Sequence, residues 1–160
     1  MSIEEKRILL AEMGQENGAS LEAYVEGGGY KALEKVLKQM TRDEVREEVT
    51  KARIRGRGGA GFEAGRKWGF LPQQTEKPVY LTCNGDESEP GTFKDRHIME
   101  HCPHRLVEGC LITCFTIGAK VGYIYVRGEF PHAQHAVEKA IEEAREANYL
   151  GEKILGTDHS

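Results

Sequence analysis

Between residues 55 and 70 the chain reads RGRGGAGFEAGRKWGF, six glycines set among four cationic side chains and three aromatics. Gly56-Arg57-Gly58-Gly59-Ala60-Gly61 fits G-x-G-x-x-G, the fingerprint that lays a pyrophosphate on a helix N-terminus. Its context differs. The fingerprint follows a strand, whereas EEVTKARIR before it is charged and helical, and the G-x-x-x-x-G-K-S/T spacing of a phosphate loop is absent. A flexible glycine linker is the plain alternative, yet a linker has no use for Phe62, Lys67, Trp68 and Phe70 directly behind it. Glycines let backbone N–H groups approach a phosphate or a planar ligand, aromatic rings stack on other rings, and a lysine supplies countercharge.

A second constellation, Asn84-Gly85-Asp86-Glu87-Ser88-Glu89, follows the strand-like PVYLTCN of residues 78–84, at the carboxyl end where open α/β sheets bind ligands. A solvated acidic turn is the bland reading. Three carboxylates within four residues repel one another, which favours a site accepting hydrogen bonds from ribose hydroxyls, a ring N–H or a carboxamide. A paired-carboxylate hydrolase lacks a sugar- or metal-binding companion here. Cys83, Cys102, Cys110 and Cys114 show neither CxxC pairs nor the density of a disulfide scaffold and read as reduced thiols, with Cys110 and Cys114, four apart in an apolar helical run, assigned to the core. His97 and His101 stand four apart with Cys102 and His104 beyond, but no fourth ligand of matching spacing supports zinc, and no metal site is expected.

These groups need elements to hold them. Ser2 with Glu5 forms a capping-box pattern for a short helix ending near Gly14, and QENGAS reads as loop. Apolar spacing predicts a helix over Tyr30 to Met40, and Thr41 with Glu44 a second capping box for a helix through Arg53. In the strand at 78–84, Val79, Leu81 and Cys83 share one side. Glu89-Pro90-Gly91-Thr92 suits a type II turn before a short helix over FKDRHIMEH. Pro103 opens a helix too apolar around its girth for a surface position. GYIYVRGEF, residues 122–130, is a second strand, and Pro131 opens an amphipathic helix.

Strand, buried helix, strand, amphipathic helix is the pattern of an α/β fold, here a Rossmann-like parallel sheet with flanking helices, preceded by a helical N-terminal arm and a glycine-rich loop. The expected divisions are 1–54 for the arm, 55–77 for the loop and 78–160 for the first part of the α/β domain. Only two strands are legible, and two strands cannot cover so apolar a helix. The sheet is therefore expected to be incomplete within this chain and finished by further sequence or another polypeptide.

The 160 residues suit one domain. With 22 Lys+Arg against 26 Asp+Glu the formal charge is -4, so no global basic field advertises nucleic acid. No apolar run approaches the roughly 20 residues of a membrane span, and direct membrane insertion is not expected.

Taken in order, RGRGGAGFEAGRKWGF, then YLTCNGDESEPGTFKDRHIMEHCPHRLVEGC, then GYIYVRGEF resemble the N-terminal part of the NADH-binding flavoprotein subunit of respiratory complex I, whose family includes diaphorase subunits of NAD-linked hydrogenases and formate dehydrogenases. The resemblance runs from about Gly27 to Gly156, and family subunits are over twice this length. It implies FMN between the glycine loop and the strand end, with Gly56, Arg57, Gly58, Gly59, Lys67, Asn84, Asp86 and Glu87 around it. It implies NADH adenine on Phe62 and Phe70, and Glu89 on the ribose or the nicotinamide amide. Glu87-Ser88 would be the peptide link beside the flavin that reorients with redox state in that family. Lys67 near the pyrimidine edge would stabilise the anionic reduced flavin. Hydride would pass directly from NADH to FMN, so no catalytic side chain is implied.

The same resemblance implies partners: the rest of the flavoprotein subunit, a 2Fe-2S thioredoxin-like subunit and a large iron-sulfur subunit, in a complex peripheral on the cytoplasmic face of the cell membrane. The family's 4Fe-4S cluster ligands are absent from this chain, as is its later glycine-rich segment. Glu63 stands where proline is usual. A non-catalytic flavin-binding fragment is the alternative from another class.

Overall fold

The computed structural model describes residues 7–72 and 75–160. The capping box at Ser2 and Glu5 lies outside them. Residues 8–20 form successive turns, so among the described residues no helix runs up to Gly14. Gly14 and Asn17, at φ 87° and 57°, take left-handed conformations that a right-handed helix cannot contain. The first helix is one the apolar spacing does not reveal: α1, Leu21–Glu26, begins where Ser20 accepts a hydrogen bond from Ala23 N–H.

Helix α2 (Lys31–Gln39) buries Leu33, Val36 and Leu37, the face expected of it. Helix α3 (Arg42–Lys51) carries the capping box in full: Glu44 N–H donates to Thr41 Oγ1 at 3.3 Å, and Thr41 N–H to Glu44 Oε2 at 2.7 Å. After the glycine loop comes α4 (Ala64–Trp68), then β1 (Tyr80–Gly85), α5 (Lys94–His101), α6 (Pro103–Ile117), β2 (Val121–Val126) and α7 (Pro131–Glu146). Strand β2 is shorter than the nine residues expected of it. Its parallel ladder runs from Tyr80 opposite Val121 to Gly85 opposite Val126, and where β1 ends β2 loses its partner.

The sheet has two strands among the described residues, joined through α5 and α6. Leu81 and Cys83 alternate inward, toward α6; a Cβ added at Gly122 would stand 3.3 Å from Cys114 Sγ on that helix. On the other face Tyr80, Tyr123 and Tyr125 remain 52–58% exposed. Parallel sheets are normally covered on both faces, so this one is an unfinished layer, as its two legible strands imply. The apolar girth of α6 is likewise uncovered in part: Val107, Cys110, Leu111 and Cys114 line an open cavity of about 650 Å³ with Ile124, Val137 and Ile141. Residues 154–156, where a third strand would be due, form a 3-10 turn.

The N-terminal helices share their core with the α/β layer. Tyr24, Tyr30, Leu33 and Leu37 cluster with Val107 of α6 and Ala140 and Ala144 of α7. Buried Glu108 anchors this contact, accepting hydrogen bonds from Tyr24 Oη, Tyr30 N–H and Leu33 N–H. Beside it the fully buried His104 joins Tyr30 Oη at Nδ1 (3.0 Å) and Glu143 Oε2 at Nε2 (2.9 Å). A neutral imidazole with its proton on Nε2 satisfies both bonds. Burial keeps its pKa below the ordinary value despite the carboxylate.

Candidate functional site

The glycine loop is closed at its neck. Arg55 and Glu63 form an isolated antiparallel bridge, Gly56 N–H donates to Phe62 C=O at 2.9 Å and Ala64 N–H to Ile54 C=O at 2.8 Å. The Arg55 and Glu63 side chains face each other at 3.6 Å. The residues between are therefore a short hairpin-like loop rather than a floppy linker.

Two of its glycines, Gly59 and Gly61, have φ of 116° and 62°, where a side chain would be strained. Gly58 has no such reason to be glycine. A Cβ there would meet nothing within 4 Å of the chain itself, so space is kept bare that the fold does not need. Gly65, four residues beyond the loop tip, is the opposite case. Its Cβ would fall 2.8 Å from Thr50 N, and its smallness is what lets α4 lie on α3.

Helix α4 thus carries the second half of the motif on a fixed support. Phe62 and Phe70 flank it with ring centroids 5.8 Å apart and planes at 52°, both well exposed at 42% and 67%. The Arg66 guanidinium stands over Phe62 at 5.7 Å. Lys67 is exposed and, among the described residues, forms no ion pair. Two rings presented to solvent, with Arg66 over one of them and Arg57 and Lys67 exposed in the same stretch, form a surface that suits a planar anion.

At the end of β1 the acidic turn resolves into two parts. Asn84 Oδ1 accepts from Asp86 N–H at 2.9 Å, and Ser88 Oγ donates to Asp86 Oδ2 at 2.6 Å, so Asn84, Asp86 and Ser88 form one polar row. Glu87 turns the other way. Its side chain is fully buried, taking hydrogen bonds from Asp95 N–H at 2.7 Å and from Arg96 Nε at 2.9 Å. Burial opposes its charge, but these bonds win and hold its pKa below the ordinary carboxylate value.

The expectation that three carboxylates crowd one another therefore fails, because Arg96 and the start of α5 neutralise one of them. Glu87 can meet a ligand only through its backbone. Glu89 is exposed and accepts Thr92 N–H at its carbonyl (3.1 Å), with Gly91 at φ 82°, the type II turn expected there. Gly85 is structural: a Cβ would come within 2.7 Å of Tyr125 C=O.

Sequence reasoning overlooked Arg127, Arg96 and Phe130. The Arg127 guanidinium donates to Glu87 C=O at 3.0 Å, and both arginines lie over the Phe130 ring, at 5.2 and 4.6 Å. The signal was the register: Arg127 follows Val126, the partner of Gly85. Among the described residues, no hydrogen bond or ion pair joins the glycine loop to the strand-end turn, so within this chain they are two separate half-surfaces.

The cysteines are free. The closeness of the Cys83 and Cys110 thiols lowers the Cys83 pKa and raises that of Cys110. His97 and His101 stack at 5.8 Å, while His104 faces inward to Tyr30 and Glu143; no group of three or more His, Cys, Asp or Glu among the described residues is placed to hold a metal ion. No described helix is long and apolar enough to cross a membrane.

A parallel two-stranded layer with helices against it, led into by a glycine loop, is the architecture of a Rossmann-like α/β domain. The chain belongs to the Nuo51 FMN-binding domain family, whose model matches residues 49–157 and so spans both half-surfaces. It is 51% identical over 150 residues to an NADH-quinone oxidoreductase subunit of Rhizobium meliloti, covering 94% of this chain and 36% of that protein. It is 51% identical over 138 residues to the corresponding NADH-quinone oxidoreductase subunit of Aquifex aeolicus, covering 86% of this chain and 32% of that protein. The chain thus spans about a third of the length of these curated relatives. A solved NAD+-reducing NiFe hydrogenase in its air-oxidised state superposes with a TM-score of 0.63 at 33% identity, covering 88% of this chain and 23% of that one.

Proposed function

We propose that this chain supplies the first part of an FMN and NADH pocket in an NADH-oxidising flavoprotein subunit of an NADH-quinone oxidoreductase. The observation that carries the reading is Gly58, a glycine with no conformational or packing reason to be one, within a loop and strand end that one FMN-binding family model spans. The residues present fit the cofactor in part: a bare glycine loop for a phosphate or ring, and a row of hydrogen-bonding groups at Asn84 and Asp86.

When bound, FMN supplies two-electron acceptance from NADH and one-electron release to iron-sulfur centres. The loop at Gly56, Arg57, Gly58 and Gly59 gives close backbone approach, Lys67 gives countercharge, and Asn84 with Asp86 orients the ring system. Phe62 and Phe70 take the adenine, and Glu89 accepts hydrogen bonds from the nicotinamide half. Glu87 contributes its backbone alone. None of these groups would need to exchange a proton with the substrate; their work would be to hold and orient the two ring systems.

The divisions at residues 54 and 77 follow this reading, with the arm bracing the domain and the loop serving the ligand. The remaining part of such a subunit would finish the sheet and the pocket. Partners would be a 2Fe-2S thioredoxin-like subunit and a large iron-sulfur subunit, with the 4Fe-4S cluster held outside this chain and the complex peripheral on the cytoplasmic side of the membrane. A diaphorase role in a hydrogenase is the second reading, favoured by the solved structure above but at lower identity than the quinone-linked relatives.

The test is titration of the purified chain with FMN, followed by flavin fluorescence, then NADH with ferricyanide as acceptor. Saturable quenching supports the pocket, and Lys67→Ala is expected to weaken it more than Lys77→Ala. Equal retention in both variants removes Lys67 from the site; no quenching at all overturns the claim that this chain binds flavin.

A further inference from the structure

We propose that Cys83 and Cys110 are an oxidisable dithiol, which hydrogen peroxide joins in a disulfide that ties the end of β1 to α6 directly behind Asn84. The pairing of the thiols stands on the fold; its effect on ligand affinity rests on the flavin reading above.

The register of helix and strand brings the two sulfurs to one level. Only residues 118–120 separate α6 from β2, so the helix runs antiparallel to the sheet it covers. Cys114 Sγ lies 3.3 Å from where a Cβ on Gly122 would stand, and Gly122 is the ladder partner of Leu81. From that level Cys110 is one helical turn back, about 6 Å toward the carboxyl ends of the strands. Cys83 is two strand residues on from Leu81, about 6.7 Å in the same direction, and alternates to the same inward face. The two rises match. Leu81, Cys110, Cys114 and Ile124, the ladder partner of Cys83, accordingly line one cavity.

The thiols also feel each other: Cys110 lowers the pKa of Cys83, and Cys83 raises that of Cys110. Cys83 is therefore the nucleophile and Cys110 the resolving thiol. Both are free and only partly buried, and the open cavity admits a small oxidant to the layer. The Cys83 thiolate attacks one peroxide oxygen, the O–O bond breaks, and the departing hydroxide leaves as water with the proton that Cys83 gave up. The Cys110 sulfur then attacks the Cys83 sulfenic sulfur, the S–O bond breaks, and the oxygen leaves as a second water with the Cys110 proton. Two electrons pass from the thiols to the peroxide.

Closing the pair to the about 2.05 Å of an S–S bond draws the end of β1 toward α6. Asn84, the next residue, points to the opposite face and holds the Asp86 N–H, so the polar row moves with the strand. FMN affinity should fall by about fivefold on oxidation and return with dithiothreitol.

The test uses the purified, reduced chain of 160 residues treated with hydrogen peroxide, alkylated and mapped by non-reducing peptide mass spectrometry, with FMN titrated before and after. A reversible Cys83–Cys110 cross-link is expected, with Cys102 and Cys114 still alkylated. Cys110→Ser should give no cross-link, and its FMN affinity should no longer respond to the oxidant. A cross-link through Cys102 or Cys114, a link between two chains, or Cys83 driven to sulfinic acid beside a free Cys110 would overturn the dithiol. A disulfide that leaves FMN affinity unchanged would overturn its coupling to the site. If the reduced chain binds no FMN, the flavin reading falls and the peptide map still decides the dithiol. If Cys110→Ser fails to fold, the wild-type map decides alone.

Discussion

Gly58 and Gly65 lie seven residues apart in one glycine-rich stretch, and the structure gives them opposite reasons to be glycine. At Gly65 an added Cβ would fall 2.2 Å from Thr50 Oγ1, 2.8 Å from Thr50 N and 3.0 Å from its Cα. The hydroxyl can rotate away, but the α3 backbone cannot, so the two helices must part by about half an ångström, an overpacking strain of about 1–3 kcal/mol. Replacing a helical glycine by alanine returns about 1 kcal/mol of propensity. Gly65→Ala is therefore expected to lose about 0–2 kcal/mol net, at its upper end a sizeable share of the 5–15 kcal/mol typical of a domain.

At Gly58 nothing stands within 4 Å and φ is not in the left-handed region, so Gly58→Ala should stay within about 0.5 kcal/mol of wild type while weakening FMN. Urea unfolding followed by circular dichroism, with flavin titration on the same samples, reads both quantities. A Gly65→Ala variant more stable than wild type, or a Gly58→Ala variant that loses stability yet keeps its flavin affinity, would refute the assignment of one glycine to packing and the other to the ligand.

Three further outcomes are expected. Glu108→Gln should cost about 1.5–3 kcal/mol in urea unfolding, because the buried carboxylate takes hydrogen bonds from Tyr24, Tyr30 and Leu33 and an amide can accept fewer of them. Below the ordinary histidine value of 6.5 the unfolded chain takes up a proton that buried His104 resists, so stability present above pH 6.5 should be lost as pH falls toward the lowered folded-state pKa. The urea midpoint should drop between pH 7 and 5.5, less so in His104→Gln; equal slopes would reject the neutral imidazole. Phe70→Ala, which removes an exposed ring paired with Phe62, should weaken NADH about tenfold with FMN affinity little changed, measured by equilibrium titration of each.

The parts of the fold legible in the sequence are those set by local chemistry. Thr41 and Glu44 announce α3 because a capping box is a short-range exchange of hydrogen bonds, and Pro90-Gly91 announces its turn because only glycine enters that left-handed position freely. Helix α4 was not legible. Five residues are too few for a periodicity, and what holds them is the contact of Gly65 with Thr50, fifteen positions away.

The candidate site divides in the same way. Gly58, Phe62, Phe70 and Asn84 are exposed and Asp86 partly so. Glu87 is buried, which depends on Arg96 and on the start of α5, and the bond from Arg127 to its carbonyl depends on the register of two strands. Long-range pairing of this kind leaves no pattern in a single sequence.

If the glycine loop and the end of β1 serve one flavin, they do so with no hydrogen bond or ion pair between them among the described residues. Backbone amide shifts followed through an FMN titration test it most directly. Gly56 to Gly61 and Asn84 to Glu89 are predicted to move together, along one binding curve with one dissociation constant. Shifts confined to one segment, or centred on the cavity between α6 and α7, would contradict it.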